Sequence, residues 1–439
     1  MIDRVTQVFV WLRRRSFFRV VQRTLVMLMP VATIGAYFQL LKDGIFSPDS
    51  LIYNIFNFDY TMPDVFWNAG NAVSAGMVKV TFGIFGIYAA YFSAVYTARL
   101  YKKDSTMAGI ASVIVITFCS YLSEFSRSNS MQANFYSRIL SINGILLALC
   151  VGYIVGQVFH FLGKNYVHSR NEHILRIQHR AWNALLPTIA SVTLGLILGV
   201  VIYLFKIRLL DTYYFKSIVS SLENSNNLLI IILLTMLTSF LWWSGIGYPL
   251  TSLTTSTNSG AALANMNYAL RHGNAQDVPY KYLGSSMVHS YGIMGDASIV
   301  LALTVVILIY THNREIEAVA KANLLPVAFG SPNGLFIGLP ILLNPIYLLP
   351  CLLIPALNEL IAAGAISLRL ISPSVYPVLS GTPGILISFF GSNGNWPTFI
   401  FTLLLFTLDV VLMIPVIQIG QQIAEKLTVY DEEEDRYAK

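Results

Sequence analysis

The stretch LLPVAFGSPNGLFIGLPILLNP, residues 324–345, decides the fold of the chain. It is as apolar as a membrane-spanning helix, yet four prolines and three glycines interrupt it. Proline ends or kinks a helix because it lacks the backbone N–H, so the stretch predicts a broken or re-entrant helix. Irregular backbone is stable at membrane depth only where protein buries it or where it lines a wet cavity.

A second irregular stretch precedes the first. Residues 249–267, PLTSLTTSTNSGAALANMN, are rich in Thr, Ser, Asn and Gly and suit a lipid-facing helix poorly. Two such segments in the same half of a chain predict a transporter binding site built from broken helices. A pair of surface loops is the alternative, but loops seldom contain so much Leu, Phe and Ile.

The composition of the whole chain indicates a membrane protein. Of 439 residues, 55% are hydrophobic and only 11% are charged, against about 25% charged in soluble domains. The mean hydropathy is +0.62. These values exclude a soluble enzyme, a disordered chain, a disulfide-stapled secreted domain and a collagen-like fibre, and they predict an all-α polytopic membrane protein.

Nine apolar segments are long enough to cross a bilayer, since a crossing helix needs about 20 residues. They are residues 24–42, 77–99, 107–124, 139–162, 183–206, 227–248, 290–310, 344–367 and 397–419. An amphipathic helix over residues 5–22 is predicted to lie on the membrane surface before them. Its arginines place the N-terminus in the cytoplasm, because basic residues stay on that side.

A strict count of nine crossings would put Arg314 and Lys321 outside. One further crossing between about 249 and 289 repairs this, so we expect ten crossings, two broken segments and both termini cytoplasmic. The composition divides the chain into residues 1–226, a scaffold or dimerisation part, and residues 227–420, a substrate-binding part. Residues 421–439 form an acidic cytoplasmic tail. The net charge of +6 sits mostly on the N-terminal arginines and indicates lipid headgroups rather than nucleic acid.

The sequence gives no sign of a cofactor or a metal site. The three cysteines, Cys119, Cys150 and Cys351, all lie in apolar segments and form no CxxC pair, and the histidines lack ligand spacing. Asp296 stands at the head of an apolar segment. It is either a cation or proton site, as intramembrane carboxylates often are, or a helix N-cap.

Several motifs resemble enzyme IIC, the membrane permease of the bacterial sugar phosphotransferase system, in its lactose, cellobiose and diacetylchitobiose branch. Residues 337–345, IGLPILLNP, resemble that family's FGLPIVLNP segment. Residues 242–247, WWSGIG, are similar to its W/F-F-G-I-H-G run, residues 28–35, LMPVATIG, to its first helix, and Thr382-Pro383 to the end of a proline-rich loop.

The resemblance implies a homodimer of ten-helix subunits with two re-entrant hairpins in the bacterial inner membrane. Each subunit moves a sugar by swinging its substrate domain. Separate cytoplasmic proteins, enzyme IIA and phospho-enzyme IIB, then supply the phosphoryl group, so this chain binds and presents the sugar and carries no catalytic residue of its own.

The chain departs from the family at the sugar site. The glutamate of F-N-I-N-E-P aligns with Asn333, the histidine after G-I with Gly247, and a tryptophan of the proline-rich loop with Ser380. An amide cannot act as a base at neutral pH. Trp243 and Tyr248 are candidates either for stacking against sugar rings or for anchoring at the membrane interface. The Asn258 amide is a candidate either for bonds to ligand hydroxyls or for bonds to backbone groups that a broken helix leaves unpaired. The candidate substrate-binding residues are Asn333, Ser331, Gly247, Tyr248, Trp243, Asn258, Ser380 and Thr382.

The leading hypothesis is therefore a phosphotransferase-type permease for a disaccharide or another small glycoside. The losses at Asn333, Gly247 and Ser380 leave two alternatives open. One is a permease-derived membrane sensor without phosphorylation-coupled transport. The other is an ion-coupled transporter that uses Asp296.

Overall fold

The computed structural model describes residues 7, 9–11, 13–125, 137–165, 174–205, 224–246, 259–295, 298–311 and 313–437. These residues form helices and one isolated parallel bridge between Ser50 and Ser380. The helices of 13 or more residues in the described ranges are α1 (Ser16–Gly44), α2 (Asp64–Thr81), α3 (Phe85–Leu100), α4 (Ser105–Phe125), α5 (Ile145–Leu162), α6 (Ile174–Phe205), α7 (Leu228–Ser244), α8 (Gly260–His272), α9 (Ser298–Tyr310), α10 (Arg314–Ala328), α11 (Pro345–Ser367) and α12 (Trp396–Tyr437).

Shorter helical turns connect the long helices. They are Leu51–Ile55, Phe58–Thr61, Ser137–Leu140, Ile142–Gly144, Gly284–Met287, the π-helical turn Val288–Gly292, Asn333–Gly338, Gly384–Leu386 and Ile387–Gly391.

The predicted polytopic helical fold is confirmed. Within the described residues, seven helical segments are long and apolar enough to cross a membrane, and α7 and α9 are shorter apolar helices. Several boundaries differ from the prediction. The crossing predicted from residue 77 begins at Asp64, with α2 and α3 separated by a turn at residues 82–84, and the one predicted from residue 290 is α-helical only from Ser298.

The surface helix predicted over residues 5–22 also ends early. Arg15 has an extended backbone, with φ −62° and ψ 137°, and α1 begins at the next residue. Val10, on the N-terminal side of this break, packs in one buried cluster with Ile346 of α11 and Ile423 of α12. The described parts of the two chain ends therefore lie at the same end of the helix bundle.

Small residues bring α3 and α5 into close contact. Gly152 and Gly156 of α5 form a G-x-x-x-G pattern, and a Cβ atom at either position would lie under 3 Å from α3, at Ala90 O and at Thr97 Cβ respectively. The Ser93 hydroxyl donates to Leu149 O across the same interface at 2.9 Å. Small residues and interhelical hydrogen bonds hold membrane helices together, because apolar burial alone gives no preference for protein over lipid.

An ion pair joins the turn before α4 to the start of α6. Arg180 donates through Nε and Nη2 to the two carboxylate oxygens of Asp104, at 2.6 and 2.8 Å. Burial acts to raise the pKa of Asp104, but the hydrogen bonds from Arg180 and the Met107 N–H outweigh it and hold this pKa below its usual value. Lys103 donates to Gly163 O at 2.7 Å, so the basic turns after α3 and α5 meet at one end of the bundle.

The path of the chain around α7 agrees with a tenth crossing. Gly245 ends α7, whereas the Ala261 N–H donates to Asn224 at 3.4 Å, just before the start of α7. The chain therefore changes from one end of α7 to the other between these points. Residues 247–258 lie outside the described residues, and α8, which follows them, has 13 residues.

The segment at residues 324–345 is broken, as its prolines and glycines predict, and most of its residues are buried. The 15-residue helix α10 ends in a turn at Gly330, where φ is +78°, and the six-residue helix Asn333–Gly338 then packs back against α1. A Cβ atom at Gly334 would lie 3.1 Å from Ala36 Cβ, and one at Gly338 would lie 2.9 Å from Met29 Cγ. Glycine at both positions permits this close approach to α1.

Candidate functional site

A cavity of about 570 Å³ lies where the C-terminal end of α1 meets the second half of the chain. Ligand sites typically have volumes of 300–1,000 Å³. Its walls come from α1, α8, the turns at residues 283–295, the tip of the hairpin at residues 329–331 and the loop at residues 374–382. The polar side chains that line it are Gln39, Asp43, Asn265, Ser285, Ser286, His289, Ser290, Ser331, Ser374, Tyr376, Ser380 and Thr382.

The hairpin tip is fastened to α1 at the cavity wall. Ser331 is only 2% exposed, and its hydroxyl lies 3.3 Å both from Ala36 O and from Gln39 Oε1. The Ser331 N–H donates to Pro326 O at 2.7 Å, which closes the turn after α10. This contact brings together residues that are 292 positions apart in the sequence.

The loop at residues 374–382 is anchored at both of its ends. Near its start, the Ser290 hydroxyl donates to Ser374 Oγ at 2.8 Å, and the Val375 N–H donates to Gly391 O at 2.7 Å. Near its end, the Ser380 N–H donates to Asp49 O at 2.9 Å, and the Leu51 N–H donates to Ser380 O at 3.0 Å.

Gly381 permits the close approach of this loop to α1. Its φ is +65°, and a Cβ atom there would lie 2.9 Å from Gly44 Cα. A residue with a side chain would be strained by this backbone conformation and would also collide with α1. The loop is therefore held as a fixed wall of the cavity.

The cavity combines hydroxyl, amide, imidazole and carboxylate groups with the rings of Phe329 and Tyr376. Among the described residues that line the cavity, Asp43 is the one with a carboxylate. Its Oδ1 accepts a hydrogen bond from Lys42 Nζ at 2.8 Å. An ionised carboxylate accepts charge-assisted bonds from hydroxyl groups, and aromatic rings offer apolar faces. Such a set suits a polyhydroxylated ligand.

Three of the predicted site residues, Ser331, Ser380 and Thr382, line this cavity together. Their hydroxyls also bond to the protein itself: Ser380 Oγ donates to Asp49 O at 3.1 Å, and Thr382 Oγ1 donates to Leu379 O at 2.6 Å.

Two other predicted residues lie away from the lining. Asn333 is half-buried at the first position of the short helix behind the hairpin tip. Trp243 is 8% exposed, and its Nε1–H donates to Asn344 O at 3.0 Å, which ties α7 to the end of the broken segment. Gly247, Tyr248, Asn258 and Asp296 lie outside the described residues.

The sequence did not identify the contribution of α1 or that of the turns at residues 283–295. Gln39 and Asp43 reach the cavity only because α1 packs against the hairpin, and His289 because the helix before α9 is interrupted. Asn265 is 3% exposed and exchanges two hydrogen bonds with the backbone of Tyr280, at 2.8 and 2.9 Å. Its side chain therefore shapes the wall.

Apolar helices with a polar cavity beside a re-entrant hairpin define a membrane transport protein. The family model for the phosphotransferase system, EIIC, matches residues 22–355. The chain belongs to this family of sugar permeases, which are multi-pass proteins of the bacterial plasma membrane.

Several relatives carry specific names. The oligo-beta-mannoside-specific EIIC component of Bacillus subtilis (strain 168) is 20% identical over 297 residues, 67% of each chain. The lactose-specific EIICB component of Staphylococcus epidermidis is 22% identical over 413 residues, 89% of this chain and 68% of that one. The chain spans about half (48%) of the lactose-specific EIICB component of Lacticaseibacillus casei, at 24% identity over 285 residues.

One solved structure resembles the chain over most of its length. The transporter ChbC, the IIC component of the N,N'-diacetylchitobiose-specific phosphotransferase system, is 20% identical with a TM-score of 0.42, over 94% of this chain and 96% of that chain.

Proposed function

We propose that the chain binds a disaccharide in the cavity at the end of α1 and carries it across the membrane for phosphorylation by a separate phospho-enzyme IIB, which enzyme IIA recharges. One observation supports this most directly: a cavity of about 570 Å³ lined by hydroxyl, amide and carboxylate groups from α1 and from the second half. The names of the relatives, which specify oligo-beta-mannosides and lactose, favour a β-linked disaccharide.

Within this cavity we assign the carboxylate role to Asp43. The glutamate expected from the resemblance is replaced by Asn333, which lies outside the lining, whereas Asp43 lies in it. Ser331, Ser380 and Thr382 supply hydroxyls beside it. Asn333 and Trp243 remain candidates as residues that position the hairpin, and Gly247, Tyr248 and Asn258 as ligand contacts.

The orientation we propose places both termini in the cytoplasm. Val10 and Ile423 share one cluster, and Gln421 Nε2 donates to Thr311 Oγ1 at 3.2 Å, so the end of α9 lies beside the late part of α12. Basic residues stay on the cytoplasmic side, and Arg314 follows directly after α9.

In this orientation the cavity lies toward the outer face. Gln39 is about 35 Å along α1 from Ser16 at 1.5 Å per residue, which is about the thickness of the hydrocarbon core. A phosphoryl donor at the inner face cannot reach a sugar held there. Residues 227–420 must therefore swing as a substrate domain against residues 1–226 before phosphorylation.

We also propose a homodimer through residues 1–226. The helix α6 exposes an apolar face that includes Leu186, Ile189, Ile197 and Val201, and a second copy or lipid covers such a face. Cross-linking of cysteines introduced along this face, in membranes, distinguishes the two: specific disulfide pairs support the dimer, and their absence at every position contradicts it.

The sugar site is tested by calorimetry on the detergent-solubilised protein with lactose, cellobiose, N,N'-diacetylchitobiose and β-mannobiose. We expect one of these to bind and glucose to bind weakly, because a monosaccharide reaches fewer lining groups. In vesicles supplied with enzyme IIB, enzyme IIA and a phosphoryl donor, the same sugar should appear inside as its phosphate. A folded protein that binds none of the disaccharides, or that accumulates the sugar unphosphorylated, contradicts the proposal.

A further inference from the structure

Basic side chains gather at the end of the helix bundle where α3 and α5 finish, outside the residues that line the cavity. Arg99, Lys102 and Lys103 belong to residues 99–104, at the end of α3 and in the turn after it. Lys164 follows the end of α5. The side chains of Arg99, Lys102 and Lys164 are exposed, and that of Lys103 is half-buried. So many cations in two short turns attract an anion.

Hydrogen bonds hold the two basic turns together. The Lys103 ammonium donates to Gly163 O at 2.7 Å and to Asn165 Oδ1 at 2.8 Å, so it contacts both chain neighbours of Lys164. Lys102 precedes Lys103 in the chain. The two exposed lysines, Lys102 and Lys164, therefore flank a single contact point between the turns.

The carboxylate of this region does not neutralise the lysines. Asp104 accepts hydrogen bonds from Arg180 at 2.6 and 2.8 Å and is therefore already paired. Residues 97–107 and 157–165 contain no other Asp or Glu. The ion pairs formed within the described part of the chain involve neither Lys102 nor Lys164. The two turns thus retain an excess of positive charge.

The backbone at Lys102 indicates that its side chain has a role beyond the fold. Its φ is +54°, a left-handed conformation that glycine adopts at helix ends without strain. The N–H groups of Lys102 and Lys103 donate to Arg99 O and Ala98 O, at 3.1 and 2.9 Å, which closes the end of α3. Glycine would make the same backbone bonds at lower cost, so the fold alone does not account for a lysine here.

Apolar side chains lie exposed directly beside the cations. Phe161 is 78% exposed and Leu162 is 45% exposed, two and three residues before Lys164 at the C-terminal end of α5. The Arg99 guanidinium lies over the Tyr96 ring, 5.8 Å from its centroid. A free anion would use the cations alone, whereas a phospholipid presents an anionic headgroup joined to acyl chains. The sequence of apolar and then basic groups along the end of α5 matches a phospholipid.

We propose that these two turns bind an anionic phospholipid, with Lys102, Lys103 and Lys164 on its phosphate oxygens and Phe161 against an acyl chain. Lysine binds phosphate as a point charge, and Lys103 has three N–H donors, of which the turns use two. Basic pockets between membrane helices on the cytoplasmic side bind lipids such as cardiolipin. A lipid held here ties the end of α3 to the end of α5, and its binding does not depend on the sugar cavity.

The direct test is native mass spectrometry of the detergent-solubilised protein with cardiolipin, phosphatidylglycerol and phosphatidylcholine. We expect the two anionic lipids to bind at least tenfold more tightly than phosphatidylcholine, and their affinity to fall as NaCl is added. Equal affinity for all three lipids overturns the proposal.

Two further measurements distinguish other anionic ligands of the same turns. Glycerol phosphate, which has the headgroup chemistry without acyl chains, should bind far more weakly than phosphatidylglycerol. Equal binding of the two means a site for free anions and overturns the proposal. Binding of enzyme IIB to the lipid-free protein that Lys102→Gln and Lys164→Gln abolish means a protein-docking surface, and this result also overturns it.

Variants locate the lipid at these residues. Lys102→Gln and Lys164→Gln should each weaken cardiolipin binding about fivefold, and the double variant about 25-fold, which is the attraction expected of lysines near an anionic headgroup. Lys281→Gln is the matched control, because this lysine pairs with Asp277 elsewhere in the protein, and it should leave the affinity unchanged. Equal affinity of the double variant and the control contradicts the assignment.

Lys102→Gly separates the charge from the fold. Glycine relieves the positive φ, so the unfolding midpoint in lipid-free detergent should stay equal or rise, while cardiolipin binding falls about fivefold. Phe161→Asn keeps all the cations and should weaken cardiolipin binding several-fold. Parental cardiolipin affinity in a folded Lys102→Gly protein, or in Phe161→Asn, contradicts the proposed site.

Discussion

The hydroxyl of Ser380 donates to the backbone carbonyl of Asp49 at a distance of 3.1 Å. The same serine exchanges two backbone hydrogen bonds with residues 49–51, so the cavity loop and the segment after α1 form a short parallel bridge. The position at which the sequence resemblance predicts a tryptophan here joins two distant parts of the chain.

Replacing Ser380 by Ala should weaken sugar binding only modestly. The variant loses one side-chain hydrogen bond, worth about 0.5–1.5 kcal/mol, while both backbone bonds of the bridge remain. Calorimetry should therefore show a loss of about 2- to 12-fold. Gly381→Ala is the stronger variant, because it adds a strained φ and a contact 2.9 Å from Gly44 Cα; an equal effect of the two variants would mean that the bridge does not shape the cavity.

Replacing Asp43 by Asn should cost more than any single hydroxyl of the cavity. Hydrogen bonds to a charged group contribute about 1.5–3 kcal/mol, which corresponds to a loss of sugar affinity of about 10- to 150-fold. Asp277→Asn is the matched control, since Asp277 pairs with Lys281 and Arg369 outside the cavity. Unchanged affinity in Asp43→Asn would remove this carboxylate from the site.

A comparison of Ser331 with Asn333 distinguishes a residue of the cavity wall from one that lies behind it. Ser331→Ala removes a lining hydroxyl together with its contacts to α1, and it should reduce affinity several-fold. Asn333→Ala should have a smaller effect than Ser331→Ala, because the Asn333 side chain lies outside the lining. The reverse order, measured in the same calorimetric panel, would show that the hairpin tip turns differently when the sugar binds.

Replacing Gly156 by Ala should destabilise the N-terminal helices. The added methyl group would lie 2.3 Å from Thr97 Cβ, so α3 and α5 must separate. Overpacking of this kind costs about 1–3 kcal/mol and should lower the thermal unfolding midpoint in detergent. Gly76→Ala on α2 is the control, since a Cβ atom there has no neighbour within 4 Å, and an equal shift in both variants would contradict this packing.

The Asp104–Arg180 pair should make stability depend on pH in the acid range. The pKa of Asp104 in the folded protein lies below its usual value of 3.8, so its contribution to the free energy of unfolding is complete above that value. The contribution is lost as pH falls through the folded pKa. The difference in unfolding midpoint between the parent protein and Asp104→Asn should therefore be constant from pH 7 to about 5 and shrink toward pH 3. A difference that grows on acidification would contradict this assignment.

The helical architecture was predictable from the sequence because a bilayer imposes a local rule. Each crossing needs about 20 apolar residues, and the nine segments found on this basis all contain helices of the structure. The break at residues 324–345 was also predictable, because proline and glycine, here Pro332 and Gly330, interrupt the helix in which they themselves lie.

The cavity was predictable only in part. Ser331, Ser380 and Thr382 were found by comparing motifs, whereas Gln39 and Asp43 enter through a contact between α1 and a hairpin almost 300 residues later. Regular patterns within α1 indicate which residues are apolar but not which element packs against its C-terminal end. Likewise, nothing local in the sequence shows that Lys103 contacts Gly163, 60 residues later.

The walls of the cavity belong to two parts of the chain, and this has a kinetic consequence. A sugar that bonds to Asp43 on one wall and to Thr382 on the other adds its own bonds to those that already hold the walls together. On the proposed function, movement of the substrate domain must break both sets at once, so tight binding in this conformation slows the next step. On the proposed function, the sugar that is transported fastest is therefore one of moderate affinity, and a ligand that fills every polar contact acts as an inhibitor.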